Sequence, residues 1–361
     1  MTSIPHLEFA GSPFEIGRQL GHFRAEAIRD VVLNLDRFQA QKNLWQGSDR
    51  IRQMEALCRR VFPEPMREID GIAEGAGLPF EDIFIWNCRG DLPVEMSGPD
   101  REGSNGCTTI LSRDPASGRR IIAHNEDGHV LLDGLCAFVS LHPDGGMPVH
   151  SFHYPGLIAG HNFGFNAAGL VQTVNNIRPQ HLPPGLPRHL ISRASLAAPN
   201  LDAALALFAR EDRAGGFHYA LAQAGDPRLL SVEAPSTGCV VHDVERAAHA
   251  NHLVDPAFAQ TEQTVAPSSR LRQAQAEAAL ADASAPPDGA GAQRILADRR
   301  NRDYPICLKS GHRDSTSFTL ASALFEIDDG GVAWRVHADP ADAAVLQGRQ
   351  AIDTGVSDAA D

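Results

Sequence analysis

One pair of residues, Gly106-Cys107, most constrains what this chain can fold into. A β-prone run over 108–111 follows the cysteine directly, and a polar turn then leads into a second predicted strand over 119–124. This strand ends in an acidic segment that includes Asp127, so the hairpin returns a carboxylate to the side of the thiol. A thiol at the start of a strand, directly behind a glycine, suits a chain that is cut before Cys107.

A cut before Cys107 would give one residue both a nucleophile and a base. A free thiol has a pKa near ~8.5 and needs activation, whereas an α-amino group has a pKa near ~7.7–8.0 and is partly unprotonated at neutral pH. N-terminal nucleophiles use their own amine in this way. Gly106 suits such a junction, because a residue without Cβ allows a strained turn and a close approach of the thiol to its carbonyl. The alternative is that Cys107 is a small buried apolar residue.

Between Asn105 and Asp127 the chain resembles the acyl-coenzyme A:6-aminopenicillanic acid acyltransferase family. This is the penicillin acyltransferase-like branch of the N-terminal nucleophile hydrolases, and it is related to bile salt hydrolases and penicillin V acylases. Four further segments agree with the family in order and spacing, so the resemblance covers nearly the whole chain. They are 14–21 (FEIGRQLG), 68–87, 164–176 and 249–252 (HANH).

Composition argues against several other classes of protein. The chain has 361 residues and a formal charge of -13, which makes nucleic acid and anionic membranes poor partners. The N-terminus lacks a basic region followed by an apolar run, and no stretch reaches the ~18–20 apolar residues of a membrane span. We therefore expect a soluble, cytoplasmic protein. The cysteines are too scattered for a disulfide framework or a cysteine-rich zinc site; they are Cys58, Cys88, Cys107, Cys136, Cys239 and Cys307.

The order of predicted elements indicates a mixed α and β protein. Helices are predicted over 13–42, 48–61 and 65–75, and a polar loop over 98–104 precedes the cut. After the cut, strands are predicted over 108–113, 119–124, 135–142, 149–154, 161–166, 169–175, 217–223, 228–234, 238–243, 247–251, 316–327 and 331–337. Later helices are predicted over 187–197, 201–210, 267–281 and 289–297. The resemblance implies an α+β fold, a four-layer α/β/β/α sandwich, in which residues 1–106 and 107–361 stay together as one folded unit.

Two more residues complete the core of the predicted site. The resemblance implies that Asp127 contacts the α-amine of the nucleophile; the alternative is an ordinary hairpin turn. It also implies that Asn251 donates to the oxyanion of a tetrahedral intermediate, with strand-end capping as the alternative. A metal site at His249 and His252 is disfavoured, because these side chains would point to opposite faces of a strand and no acidic ligand pattern accompanies them.

Four residues are candidates for substrate binding. The resemblance points to Asn176 or its neighbour Asn175, and a strand-to-loop turn is the equal alternative. Thr108 follows the nucleophile directly. The family carries a Ser-Arg pair before a late Phe-containing strand, and Thr319 stands where the serine is expected.

The expected arginine is absent from that segment, which weakens the case for penicillin-type acyl transfer. Arg302 or Arg313 would have to reach the site from elsewhere in the fold. A Cys–His dyad is a further way to activate the thiol, and its candidates are His153, His161, His218 and His312.

These residues predict a self-processing amidohydrolase. Cys107 attacks the Gly106 carbonyl, the resulting thioester hydrolyses, and the mature thiol then cleaves a small N-acyl amine, N-acyl amino acid or β-lactam side-chain amide. The expected partners are this substrate and the protein's own two cleaved chains, with no cofactor and no metal; a homo-oligomer of the two-chain unit stays open. One alternative is an acyl-coenzyme A-dependent N-acyltransferase of the same fold. The other is a non-catalytic binding protein that is never cut.

Overall fold

The computed structural model describes residues 4–95, 106–309 and 316–352, so the predicted loop over 98–104 lies outside the described residues. The described helices are α1 (Pro13–Phe23), α2 (Ala25–Asp30), α3 (Asp36–Trp45), α4 (Asp49–Val61), α5 (Pro63–Ala76), α6 (Phe80–Asn87), α7 (Arg188–Leu196), α8 (Leu201–Phe208), α9 (Pro267–Asp282) and α10 (Gly289–Leu296). Three short 3₁₀ turns lie over Val32–Asn34, Val130–Leu132 and Pro256–Phe258.

The described strands form two sheets. They are β1 (His6–Gly11), β2 (Gly106–Arg113), β3 (Arg120–His129), β4 (Ala137–Pro143), β5 (Val149–His153), β6 (Phe163–Asn166), β7 (Leu170–Asn176), β8 (Phe217–Gln223), β9 (Leu229–Glu233), β10 (Val240–Asp243), β11 (Arg246–His249), β12 (Ser317–Asp328), β13 (Gly331–His337) and β14 (Leu346–Ala351). The eight-stranded sheet has the order β1-β4-β5-β6-β7-β8-β9-β10, and the six-stranded sheet has the order β11-β2-β3-β12-β13-β14. The predicted α+β class, with two sheets, is confirmed.

Side chains that alternate along the strands of the six-stranded sheet belong to two different hydrophobic cores. Leu111, Ile122 and Phe325 belong to the main core, whereas the preceding residue of each strand belongs to a second core together with residues of α9 and α10. Successive side chains of a strand point to opposite faces, so the main core lies on one face of this sheet and these two helices on the other. Across the main core, Phe325 meets Phe163 and Phe165 of the eight-stranded sheet edge to face. The two sheets therefore pack face to face.

Helices α1 and α5 touch backbone to backbone, which explains two of the family-like segments. A Cβ added at Gly17 would lie 2.0 Å from the Glu68 carbonyl oxygen, and one added at Gly71 would lie 2.1 Å from the Phe14 carbonyl oxygen. Gly21 and Gly75 are equally close to the facing helix. Only glycine permits this approach, so the glycine spacing in both segments fixes the helix pair.

The predicted start of the first helix is confirmed, but its predicted length is wrong. Ser12 caps α1 and forms a capping box with Glu15, with Pro13 in the first turn. The predicted run to residue 42 is divided into α1, α2, a 3₁₀ turn and α3. The predicted stop of α5 is confirmed, since Gly77 adopts a left-handed φ of 66° at its C-cap.

Two edge strands were missed by the sequence pattern. β1 pairs in parallel with β4, although no strand was predicted before the cut. β14 pairs antiparallel with β13. β3 is longer than predicted and runs on to His129, so the segment 125–127 lies within the strand and not in a turn. Within the described ranges, no helix is long and apolar enough to cross a membrane.

Candidate active site

The hairpin of β2 and β3 brings the nucleophile candidate and two carboxylates together. Gly106 is in register with Asp127, and Cys107 is in register with Glu126. On the other side of β3, Thr319 of β12 is also in register with Asp127, next to a β-bulge between 319 and 321. The centre of the six-stranded sheet thus carries all of these residues on three neighbouring strands.

The backbone nitrogen of Cys107 is held by a buried asparagine. The N–H donates to Oδ1 of Asn251 at 2.8 Å. Nδ2 of Asn251 donates to the carbonyl oxygen of Asn176 at 3.1 Å, and its backbone N–H donates to Ser269 Oγ at 2.8 Å. Asn251 is therefore fixed from three sides, with its carbonyl oxygen on the nitrogen that a cut would convert into an α-amine. Its predicted role as an oxyanion donor stays a prediction.

The thiol of Cys107 faces a carboxylate that the sequence reasoning did not single out. Sγ donates to Oε2 of Glu126 at 3.4 Å, and the side chain of Cys107 is only 5% exposed. Glu126 also accepts from the Tyr154 hydroxyl at 2.6 Å and lies 3.2 Å from Nε2 of His124. Burial, together with the negative charges of Glu126 and Asp127, raises the pKa of the thiol well above its ordinary value. In the uncut chain the thiol is therefore protonated.

Asp127 follows Glu126 on β3, and its side chain is also buried. Its Oδ1 accepts a hydrogen bond from the Thr319 hydroxyl at 2.6 Å. Burial raises the pKa of Asp127 to about 6, while the positive charge of Arg272 and the Thr319 bond act in the opposite direction. Thr319, predicted as a substrate-binding residue, is itself fully buried and contacts Asp127.

The arginine that reaches the site is Arg272 of α9. It donates to the Cys107 carbonyl oxygen, to Thr108 Oγ1 at 2.8 Å and to Asn251 Oδ1 at 2.7 Å. Arg302, one of the two sequence candidates, is exposed, and Arg313 lies outside the described residues. The sequence pattern that could have pointed to Arg272 is weak. It consists of the polar residues Ser269, Arg272 and Gln273, which are close together on one turn of α9 and bind the 250–251 segment.

Gly106, the residue before the predicted cut, lies against this arginine. A Cβ added at Gly106 would lie 2.5 Å from Arg272 Nη2 and 3.3 Å from Asn251 Oδ1. The first distance is shorter than real Cβ contacts, so any larger residue would displace a buried guanidinium. This contact adds a physical reason for a glycine before Cys107, beyond the conformational freedom inferred from the sequence.

The other substrate-binding candidates differ in position. Asn176 lines a cavity together with Cys107, and among the described residues its buried Oδ1 has no hydrogen-bond partner. Asn175 is fully buried, where it accepts from the Thr109 hydroxyl and donates to the His249 carbonyl oxygen. Thr108 is also fully buried and accepts from Arg272.

The cavity beside Cys107 has a volume of about 900 Å³. This volume falls in the range of small-molecule sites. Glu126, Tyr154 and His161 line it near the thiol, and Trp86 and Phe38 contribute apolar wall. It is large enough for an acyl-amide substrate, and Cys107 is at its wall.

No described histidine candidate forms a dyad with Cys107. His153 and His161 bond to backbone carbonyl oxygens, and His218 bonds to Asn175 and Ser231. His312 lies outside the described residues. Burial lowers the pKa values of His153, His161 and His218.

Within the part of the chain that the structure describes, one group of side chains has the spacing of metal ligands. Ligand atoms of Cys107, His124 and Glu126 lie within 4.8 Å of one another. The thiol–carboxylate and imidazole–carboxylate hydrogen bonds account for this closeness without an ion. The His249 and His252 pair does not form such a group: His249 contacts Glu233, and His252 contacts Ser269.

Residues 115–341 match the family described as acyl-coenzyme A:6-aminopenicillanic acid acyl-transferase. The chain belongs to this family. The resemblance found in the sequence is thereby confirmed, and the matched range contains Asp127, Asn251, Arg272 and Thr319 but starts after Cys107.

Two curated relatives are similar over part of their length. The chain is 28% identical over 217 residues to the beta-alanyl-dopamine/carcinine hydrolase of Drosophila melanogaster, covering 55% of this chain and 56% of that protein. It is 28% identical over 197 residues to the 40 kDa form of the acyl-coenzyme A:6-aminopenicillanic-acid-acyltransferase of Emericella nidulans, covering 53% and 52%. The chain spans about half the length of the curated relatives it matches.

Proposed function

We propose that this protein is a self-processing cysteine amidohydrolase that cleaves small N-acyl compounds through an acyl-Cys107 intermediate. One observation carries the proposal: the backbone nitrogen of Cys107 is held 2.8 Å from Asn251 while its thiol donates to Glu126, at the wall of a cavity. Both atoms of an N-terminal nucleophile, the amine and the thiol, thus have a buried partner. The names of the two relatives, a hydrolase and an acyltransferase, support the same chemistry at an acyl group.

Self-cleavage needs a base that exists before the α-amine is free. We assign this role to Glu126, which already accepts from the thiol. The thiol proton passes to Glu126 as Sγ attacks the Gly106 carbonyl carbon. The Gly106–Cys107 C–N bond then breaks, the leaving nitrogen takes a proton, and a thioester remains. Water hydrolyses this thioester to the Gly106 carboxylate and the free Cys107 thiol.

In the mature enzyme the α-amine of Cys107 takes over as base. It accepts the thiol proton, and Sγ attacks the carbonyl carbon of the substrate amide. Asn251 holds the amine through Oδ1, and Asp127 lies in register with Gly106, the residue directly before the new terminus. The amine product leaves with the proton, and water releases the acyl group from Cys107. We retain Asn251, together with a backbone N–H, as the proposed oxyanion site, which requires its Nδ2 to exchange the Asn176 carbonyl for the oxyanion.

The proposed chain organisation follows from the packing. Residues 1–106 and 107–361 are the two chains of one folded unit, because β1, α1 and α5 pack within the same core as the strands that follow the cut. Helices on the outer face of each sheet, around two sheets packed face to face, agree with the four-layer sandwich of N-terminal nucleophile hydrolases. Asn176 is the best-supported substrate-binding residue, since it lines the cavity with Cys107.

The second candidate function is N-acyl transfer from acyl-coenzyme A. The name of the Emericella nidulans relative favours it, because water and an amine compete for the same acyl-enzyme. We prefer hydrolysis because an overall charge of -13 gives no long-range attraction for a polyanionic donor. A non-catalytic binding protein would not require the buried constellation around Cys107.

Intact mass of the freshly purified protein tests the proposal. We expect wild type to give two chains cut before Cys107 under denaturing conditions and one particle natively. Cys107→Ala should stay full length and keep the wild-type circular dichroism spectrum. Cys239→Ala is the matched control, because Cys239 is outside the cavity and its loss should leave the cut intact. Activity from a wild-type protein that remains one chain would refute the N-terminal nucleophile mechanism.

A further inference from the structure

Buried polar side chains connect Glu126 to the interior of the protein. Oε2 of Glu126, the oxygen that accepts from Cys107, also lies 3.2 Å from Nε2 of His124. Nδ1 of His124 lies 2.8 Å from Oγ1 of Thr109, and Thr109 donates to Oδ1 of Asn175 at 2.7 Å. His124, Thr109 and Asn175 are fully buried, and we call these three residues the polar network.

The polar network joins the two sheets. Thr109 of β2 and His124 of β3 are in register in the six-stranded sheet, whereas Asn175 belongs to β7 of the eight-stranded sheet. The ring of His124 also packs edge to face against Phe163, with the ring centres 5.9 Å apart. In a densely packed interior these side chains cannot turn to other partners without leaving a buried polar group unpaired, so their contacts are fixed by the fold.

The amide of Asn175 sets the direction of these hydrogen bonds. Its Nδ2 donates to the carbonyl oxygen of His249 at 3.0 Å, so its Oδ1 is the atom that faces Thr109. Nδ1 of His218 lies 3.2 Å from the same Oδ1 and is a second donor to it. Because an amide oxygen only accepts hydrogen bonds, the hydroxyl hydrogen of Thr109 points to Asn175.

The direction of the Thr109 hydroxyl determines which nitrogen of His124 carries a hydrogen. Since the hydroxyl hydrogen is used on Asn175, the bond between Thr109 and His124 requires a hydrogen on Nδ1. Nε2 is then directed at Glu126, and a hydrogen bond between Nε2 and Oε2 requires one further proton between these two atoms. Thr109 and Asn175 therefore select the tautomer in which Nε2 of His124 is paired with the carboxyl group of Glu126.

The carboxyl group of Glu126 is held at both of its oxygens. Tyr154 donates to Oε1 at 2.6 Å, and His124 bonds to Oε2 at 3.2 Å. Glu126 and Cys107 are in register on neighbouring strands, and a rotation of the carboxyl group about its last side-chain bond would move Oε2 away from Sγ. His124 and Tyr154 together oppose this rotation.

We propose that His124 is a positioning residue for self-cleavage, and that Thr109 and Asn175 hold it in the tautomer that this role needs. The inference rests on the proposed function, in which Glu126 is the base that takes the thiol proton before the α-amine is free. It gives Asn175, which the family resemblance assigned to substrate binding, a different role. In the mature enzyme the α-amine replaces Glu126 as the base, so the contribution of His124 falls on the cut and not on the mature thiol.

His124→Gln tests this division between the cut and the mature thiol. We expect the cut to be about 10–100-fold slower than in wild type, the effect of losing one hydrogen bond to a charged group in the transition state. Once the slow cut is complete, the mature Cys107 thiol should react with iodoacetamide at the wild-type rate, as followed by peptide mass. Thr109→Val keeps the imidazole and removes only the acceptor for Nδ1, so it should slow the cut less, and it provides the same comparison if His124→Gln is never cut.

The comparison of the two rates separates a positioning role from a structural one. His150→Gln is the matched control, because His150 is half-buried, bonds to Ser140 and should leave both rates unchanged. An equal loss in the rate of the cut and in the rate of alkylation would make His124 a purely structural residue and overturn the inference. A cut at the wild-type rate in both His124→Gln and Thr109→Val would overturn it as well, and would leave the proposed hydrolase intact.

Nitrogen NMR of the uncut Cys107→Ala protein, labelled with ¹⁵N-histidine, reads the tautomer without any cleavage. The signals of His124 are those that disappear when His124→Gln is added to this variant. We expect Nδ1 to carry a hydrogen, and its signal to change when Thr109→Val is added instead. An Nδ1 without a hydrogen refutes the inference alone. A wild-type protein that is never cut refutes the proposed function, and the inference with it, whichever tautomer is found.

Discussion

Replacing Gly106 by alanine tests the link between the cut junction and Arg272. The added Cβ would lie 2.5 Å from Arg272 Nη2, and Arg272 is buried and cannot swing into solvent. It must shift, which disturbs its bonds to Asn251 and Thr108. A hydrogen bond to a charged group contributes about 1.5–3 kcal/mol, so losing one of them in the transition state would slow self-cleavage about 10–100-fold.

The assay is the fraction of cut chain against time, followed by intact mass after rapid purification. Gly330→Ala is the matched control, because Gly330 is exposed and its nearest neighbour is 3.4 Å from the position of an added Cβ. Its cut should proceed at the wild-type rate. If Gly106→Ala is cut before Cys107 as fast as wild type while Arg272 is retained, the steric coupling between Gly106 and Arg272 is wrong.

Three further predictions concern the same site. Asn251→Ala should lower kcat about 10²–10³-fold with little change in KM, since an oxyanion donor acts mainly in the transition state; a change confined to KM would make Asn251 a substrate-binding group. Asp127 has a pKa raised from 3.8 to about 6, so its favourable contribution to folding is full below pH 3.8 and is lost as pH rises through 6. Relative to Asp127→Asn, the free energy of unfolding of wild type should therefore fall by about 2 kcal/mol between pH 4 and 7 in urea titrations, and parallel curves would contradict the raised pKa of Asp127. Finally, when acyl-coenzyme A and a millimolar primary amine are supplied together, the product should be mostly free acid, and mostly amide product would favour the transferase. Metal chelators should not change the turnover, and alkylation of Cys107 should abolish it.

Local pattern was enough to predict much of the fold. The hairpin of β2 and β3 follows from β-prone runs around one polar turn, and the helix ends follow from capping residues such as Ser12 and Gly77. The edge strands β1 and β14 were missed because their residues are mostly polar or half-exposed, and only a neighbouring strand makes them strands. This pairing depends on the fold of the whole chain, and the local sequence of either segment does not show it.

Local pattern indicated only those residues of the candidate site that are close in sequence, whereas Asn251, Asn176 and Thr319 were predicted from the family resemblance. Cys107, Gly106 and Asp127 belong to one hairpin, and their proximity follows from its register. Arg272 contacts Thr108 across a separation of 164 residues, and Tyr154 reaches Glu126 across 28. Nothing in the sequence of α9 shows which face is buried, because its buried residues include Ser269, Arg272 and Gln273 among alanines. Contacts of this kind depend on where each helix packs in the fold, and the spacing of apolar residues along the sequence does not show this.

The pairing of β1 with β4 has a consequence for the lifetime of the processed protein. Six residues on each strand are in register, and α1 and α5 are buried in the core that they share with residues beyond Cys107. If the chain is cut as proposed, only noncovalent contacts such as these join the two fragments, so rejoining after unfolding becomes a bimolecular event that slows with dilution. The uncut chain can refold unimolecularly, whereas a cut enzyme would lose that route and keep its structure only while it does not unfold. Survival of the mature protein would then be set by how slowly it unfolds, and no longer by its equilibrium stability.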